Sequence, residues 1–259
     1  MEIKKGIVGF VDILGYKNII ENNEIEKLGP IIQEILNLAK DVKDIVKNDI
    51  KKSFYKKKDL DSFDKLYNAY EIESHVISDS IIFLGEINET DDIFNSIKFA
   101  IYIRFLQKLC RISLEKGFAL RGAISYGDYI NENNIIASKA HIEAYSLSEE
   151  KLNFSGIAVC SGFKNFCEKM DKEKSTIFLK KLYENTSEIH CQLKDGKEEK
   201  LLIIDWISGL GEGEYNGDLR QYLFNSFSKH NKDISQSVIR KIDNTENVLR
   251  SILAKNKFK

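Results

Sequence analysis

The sequence predicts a mixed α/β (α+β) protein with a ferredoxin-like palm core, its elements running β-α-α-β-β-α-β. Three observations predict it. An apolar run from Gly6 to Leu14 is broken by a single acid, Asp12; two β-branched stretches meet at Ser78-Asp79; and a long apolar-striped segment over 93–115 separates that pair from a further strand starting at Phe118.

Each element follows from its pattern. GIVGFVDIL over 6–14 is the continuous apolar run of a strand buried on both faces. Gly15 breaks it, and a short helix is expected from Tyr16 to about Glu21. Ile31, Ile32, Ile35, Leu36, Leu38, Ala39, Val42 and Ile45 form the stripe of a second helix over 28–46. Residues 47–70 are charge-rich and read as a solvated helix extension or an insertion, either a plain solvent-facing surface or a basic rim. EIESHVISDSIIFL over 71–84 reads as two strands joined by a tight turn near Ser78-Asp79. An amphipathic helix over 93–115 is ended by Gly117. A strand over 118–126 is expected to close at Gly127-Asp128. A helix over 138–152 follows, with Glu149 and Glu150 near its end. The rest reads as strands at 156–160, 188–193 and 201–206, a helix near 163–170, a glycine-rich loop, and two helices within 219–253. The expected organisation is a palm domain over 1–174 carrying the charged insertion, then a strand-containing and helical C-terminal extension over 175–259 packed on the same domain.

Composition narrows the function classes. The 259 residues are 42% hydrophobic and 31% charged, enough for a proper core and unlike a disordered chain. With 39 Lys and Arg against 40 Asp and Glu, the net charge of -1 gives no global reason to bind nucleic acid or an anionic membrane. Any anion site must be local. Cys110, Cys160, Cys167 and Cys191 form no CxxC pair, so reduced, buried thiols in a cytoplasmic protein are expected rather than a disulfide framework or a zinc site. An apolar strand starting within a few residues of Met1 leaves no room for a secretory leader, and no apolar stretch is long enough to span a bilayer. The glycines at 209, 211 and 213 are not followed by the Lys-Ser/Thr of a phosphate loop.

The chemistry concentrates on two acids. An unpaired carboxylate buried in an apolar strand costs several kcal/mol and survives with a cation or a cluster of donors. Asp12 and Asp79 both face that cost, and the palm topology sets the first strand beside the hairpin. Two carboxylates converging at one sheet end can hold divalent metal through oxygen ligands. Gly15 and Tyr16 sit where the strand turns into a helix, a place suited to a phosphate chain.

The residues here resemble a known family. Phe10-Val11-Asp12-Ile13-Leu14-Gly15-Tyr16 looks like the F-x-D-I-x-G-F signature of class III nucleotidyl cyclases. Ser78-Asp79-Ser80 falls where that family has its second metal-binding Asp after a glycine, and Leu120 to Gly127 (LRGAISYG) is similar to its L-R-x-G-I-x-x-G strand. The resemblance covers about residues 6 to 160. It implies the nucleotide-cyclase palm, a homodimer with nucleotide sites at its interface, and conversion of a nucleoside triphosphate to a 3',5'-cyclic nucleotide and pyrophosphate. Asp12, Asp79 and the Ile13 carbonyl would bind two Mn2+ or Mg2+ ions, and Leu14, Gly15, Tyr16 and Ser78 would lie against the substrate. His75 replaces the Lys or Glu that reads a purine four residues before the second Asp. The family's N-x-x-x-R pair is missing from Ala140 to Ser146, leaving Arg121, Lys139, His141 and Tyr145 as the available replacements. A changed base position on such a domain is similar to the pyrimidine cyclases of bacterial antiphage (Pycsar) systems, which make cyclic UMP or cyclic CMP for a separate effector.

Plainer roles stand beside these. His75 also fits a packed or surface histidine, and Arg121 the partner of a structural carboxylate. His141 and Tyr145 share a helix face and fit packing. The rival functions are a catalytically silent nucleotide-binding or scaffold homologue, and a G-G-D-E-F or CRISPR-type palm polymerase, whose hairpin motif this chain lacks.

Overall fold

The computed structural model describes residues 2–54, 72–87, 92–133, 135–174, 178–209 and 217–256. Within them β1 (Lys4–Ile13) is central: every residue from Gly6 onward is buried, as its apolar run demands. It pairs antiparallel with β3 (Ser80–Glu86) on one side and β4 (Leu120–Glu132) on the other, and β2 (Glu73–Ile77) pairs with β3. The order β2-β3-β1-β4 is the palm arrangement expected from the sequence.

Beyond β4 the same sheet continues through β6 (Gly156–Val159), parallel to β4, then β8 (Glu198–Ile204) and β7 (Thr186–Gln192), both antiparallel to their neighbours. The helices are α1 (Tyr16–Glu21), α2 (Ile25–Phe54), α3 (Asp92–Lys116), α4 (Lys139–Tyr145), α5 (Ser161–Lys174), α6 (Phe178–Glu184), α7 (Leu219–Phe227) and α8 (Gln236–Asn256).

Several elements differ from expectation for identifiable reasons. β4 does not stop at Gly127-Asp128 but runs to Glu132, because β5 (Ile135–Ser138) returns against it and pairs from Tyr129 onward. The single helix expected over 138–152 is α4, then a π-helical segment, Ser146–Lys151, which moves Glu149 relative to a regular helix. α3 is buried on most sides rather than along one stripe, since Ile101, Ile103 and Leu114 are covered as well as the stripe of Phe99, Tyr102, Leu106 and Leu109. It touches α2, α6 and α7 as well as β4, β6 and β8. α6, which the sequence does not announce, buries Phe178 and Leu182 there. Residues 55–70 of the charged insertion and most of the glycine-rich loop lie outside the described residues. Among the described residues, no helix is long and apolar enough to cross a membrane.

Candidate active site

Asp12 stands one residue before the end of β1, with Ser80 as its register partner on β3 and Arg121 as its partner on β4. Directly opposed residues share a face of the sheet, so the two charged side chains meet. Arg121 Nη2 donates to Asp12 Oδ2 at 2.9 Å, and their side chains are 6% and 12% exposed. The same nitrogen donates to Glu149 Oε1 from the π-helical segment. Ser148 Oγ bonds the Arg121 carbonyl at 3.3 Å, and Lys194 Nζ donates to the Glu149 carbonyl.

This network leaves one atom over. Asp12 Oδ1 is buried with no hydrogen-bond partner among the described residues, and so is Arg121 Nε. Burial pushes the Asp12 carboxyl up to about 7, with Arg121 pulling down and Glu149 adding to the rise.

Asp79 occupies the β2–β3 turn, and its carbonyl accepts the Ile13 N–H at 3.0 Å, pinning the turn to the end of β1. Its half-exposed carboxylate has no hydrogen-bond or ion-pair partner among the described residues. Ser78 before it has φ of 58°, the left-handed conformation that favours glycine. The sheet thus brings Asp12 and Asp79 to one end of adjacent strands. Among the described residues, no group of three or more His, Cys, Asp or Glu forms a metal cage. A cation there would rest on the two carboxylates and a backbone carbonyl, and the unpartnered Asp12 Oδ1 fits such a ligand.

The remaining residues singled out in the sequence divide. Ile13 and Leu14 are buried, the latter donating its N–H to the Ala119 carbonyl at 2.8 Å. Gly15 turns the chain with φ of 81°, and Tyr16 packs half-buried against the core. Arg121 is spent on Asp12 and Glu149, so it orients an acid rather than projecting into open space. His75 lies on β2 with Nε2 3.0 Å from Glu73 Oε1 and 3.2 Å from Asn131 Nδ2, because the far end of β4 crosses toward β2. His141 and Tyr145 pack on Phe10, ring centroids 5.8 and 5.2 Å away. Lys139 is exposed at the start of α4, beside a cavity of about 750 Å3 also lined by Tyr126, Tyr129 and Glu143.

Sequence reasoning missed three contributors. Glu149 was visible only as an acid near a helix end, and its role depends on the π-helical segment. Glu143 accepts from Ser125 Oγ, from Ser161 Oγ at 2.8 Å and from the Gly162 N–H at 3.2 Å, tying α4 to β4 and α5. Lys241 on α8 is half-buried within electrostatic reach of Asp12, Arg121 and Glu149. No local pattern could have announced that long-range contact. The four cysteines are buried and unpaired, with burial pushing their thiol pKa values up.

No protein-family model matches the chain, and no curated protein matches it. Among solved structures it is similar to a bacterial light-regulated adenylyl cyclase, at 14% identity and TM-score 0.41, covering 86% of this chain and 100% of that one. A second structure of that description gives 11% identity and TM-score 0.42, covering 87% of this chain and 57% of the other. An adenylate/guanylate cyclase/hydrolase from Silicibacter pomeroyi gives 13% identity and TM-score 0.37, covering 78% and 95%.

Proposed function

We propose that the chain is a nucleotidyl cyclase that converts a nucleoside triphosphate, by preference UTP or CTP, to its 3',5'-cyclic monophosphate and pyrophosphate. The observation that carries this reading is the buried Oδ1 of Asp12, unpartnered among the described residues, at the same end of a palm sheet as Asp79, whose turn is bonded to Ile13. Asp12, Asp79 and the Ile13 carbonyl would hold two divalent cations, whose chemistry when bound is to polarise the α-phosphate and lower the pKa of the 3'-hydroxyl. Arg121 and Glu149 fix the Asp12 carboxylate so that one oxygen is committed and the other stays available. The left-handed turn at Gly15 then carries the backbone past the site without a side chain.

Pyrimidine preference is supported by His75. It stands at the base-reading position that the resemblance implies with Glu73 and Asn131 bonded around it, so that an imidazole, a carboxylate and an amide stand in place of a lone Lys or Glu. A pyrimidine product would extend the likeness to antiphage signalling through a separate effector. Assembly as a homodimer is supported by the exposure of Ile135, Ile142 and Tyr145, at 63%, 65% and 45%, on the elements beside β1 and β4.

The test is to incubate the purified chain with each nucleoside triphosphate and Mn2+ and resolve products by mass. A cyclic pyrimidine nucleotide that disappears in Asp12→Ala and in Asp79→Ala is the expected outcome. Product formation untouched by both substitutions overturns the metal assignment. A second reading, nucleotide binding without turnover, is favoured by one observation: the segment from Ala140 to Ser146, comparable to the one that carries N-x-x-x-R, holds neither an Asn nor an Arg, and Arg121 is already paired with Asp12 and Glu149. Nucleotide binding with no product from any triphosphate selects it.

A further inference from the structure

A second cluster of charge lies across the sheet from Asp12. Successive strand residues point to opposite faces, and Phe10 and Asp12 address α4 and the π-helical segment, whereas Tyr102 of α3 lies against Gly9 and Gly85 on the other side. On α3, Arg104, Gln107, Lys108 and Arg111 fall at i, i+3, i+4 and i+7 and share one stripe. They form a wall of a cavity of about 420 Å3, whose opposite wall includes Glu184 at the end of α6 and Asp205 and Trp206 just after β8.

The acids of that lining are already served. Asp205 accepts from the Ser208 N–H at 3.0 Å, from Ser208 Oγ at 2.8 Å and from Asn256 Nδ2 at 2.6 Å, and Glu184 lies 3.9 Å from Lys180 Nζ. The donors exceed their acceptors. Arg111 Nε is paired with Glu115 at 2.8 Å, but Arg104 Nη2 and Lys108 Nζ turn to the same oxygen, Asp49 Oδ2 on α2, at 3.7 and 3.1 Å. At 3.7 Å the Arg104 guanidinium is beyond hydrogen-bond distance, so its N–H groups have no acceptor among the described residues. The positive field is registered by Asp49 itself: burial raises its pKa, yet Lys108, Arg104 and Lys52 together hold the carboxyl below its ordinary value. Trp206 adds a neutral donor. It is 4% exposed, and its indole N–H has no hydrogen-bond partner among the described residues, although a buried indole usually finds one.

We infer that this cavity binds a compact phosphate dianion, as free phosphate or at the end of a phosphomonoester, through Arg104, Lys108 and the Trp206 N–H. Two side chains that already converge on one carboxylate oxygen can close on one phosphate oxygen, and the arginine fork can bond a second. Arg104, Lys108 and Lys52 set against Asp49 leave a surplus of two positive charges, which a phosphate dianion matches. The volume lies within the roughly 300 to 1,000 Å3 of small-molecule sites. The site goes beyond the cyclase reading and does not depend on it, because it lies on the opposite face of the sheet from Asp12.

The experiment is titration calorimetry on the full chain at constant ionic strength, with inorganic phosphate and, separately, with glycerol 3-phosphate. Arg104→Gln and Lys108→Gln are each expected to weaken binding about tenfold, the usual cost of one charge-assisted contact. Asp49→Asn removes the competing carboxylate and is expected to tighten binding about threefold to tenfold. Trp206→Phe keeps the ring and loses the N–H, with an expected loss of about fivefold. Lys172→Gln, on the exposed side of α5, is the control and is expected to bind as the unmodified chain does. Tighter binding of glycerol 3-phosphate assigns the site to a phosphomonoester, and tighter binding of inorganic phosphate assigns it to the free ion. Unchanged affinity in both Arg104→Gln and Lys108→Gln overturns the inference, as does absence of phosphate binding to the unmodified chain. A loss in Lys172→Gln equal to that in Arg104→Gln overturns it as well, since the effect is then one of overall charge.

Discussion

Two buried charged clusters flank the β1–α1 turn, and they are satisfied in opposite ways. Asp12 has a true counter-ion in Arg121, yet keeps one oxygen without a partner. Lys232 has no counter-ion among the described residues; its ammonium donates to the Gly117 carbonyl, and Gly15 passes so close that an added Cβ would lie 3.1 Å from Lys232 Cδ. Burial moves each toward neutrality, the Asp12 carboxyl up to about 7 and the Lys232 ammonium down to about 8. The difference gives a criterion to test for separating a structural charge from a functional one: Lys232 directs its ammonium to a fixed backbone carbonyl, whereas Asp12 keeps an oxygen without a partner among the described residues, at a cost in stability.

The sharpest way to break that comparison is to remove Arg121. Arg121→Met leaves buried Asp12 and half-buried Glu149 without their shared cation and is expected to cost about 3 to 5 kcal/mol in urea denaturation. A loss under about 1 kcal/mol would mean that the pair is not desolvated as the burial implies.

The contact of Lys232 with the Gly117 carbonyl is next in size. The Lys232 pKa is about 8 when folded and 10.5 when unfolded, so between those values the unfolded chain binds more protons and stability rises with pH. The rise is expected to total roughly 2 to 3 kcal/mol, and the same titration on Lys232→Met should lack it. A flat difference between the two chains from pH 8 to 10.5 would show the ammonium to be well solvated.

Smaller still is Ser78→Gly. Relieving the left-handed φ of 58° is expected to stabilise the chain by about 0.5 to 1 kcal/mol in thermal denaturation. Asp79→Asn should move stability least, within about 0.5 kcal/mol, because its carboxylate is half-exposed and unpartnered. Loss of product in Asp79→Asn with an unchanged denaturation midpoint would place that acid on the functional side; matched losses of both would place it with Lys232.

The palm was legible because its signals are local. The apolar run around Asp12, the turn at Ser78-Asp79 and the breaks at Gly15 and Gly117 each follow from a few adjacent residues, and the strand order follows from them by topology. Gly127-Asp128 misled because a turn-forming pair can be carried inside a strand once β5 supplies the partner. α6 was invisible because its apolar residues answer to α3 and β7 rather than to a stripe of its own. Asp12 could be named from burial cost alone, but that argument fails for Asp79, which is half-exposed in the β2–β3 turn, and Arg121's orientation required knowing that Glu149 would be carried to it by a π-helical segment.

By itself the sequence determined which acids had to be explained and which strand would be central, since burial cost and hydrophobic periodicity are properties of neighbouring residues. Only the tertiary structure decided how those acids are held: that Arg121 holds Asp12 by one oxygen, that Asp79 is left without a side-chain partner among the described residues, and that Lys241 reaches the same end of the sheet. Those outcomes depend on pairings between residues up to 229 positions apart, and the strength of each charge is set by the burial that the completed fold imposes.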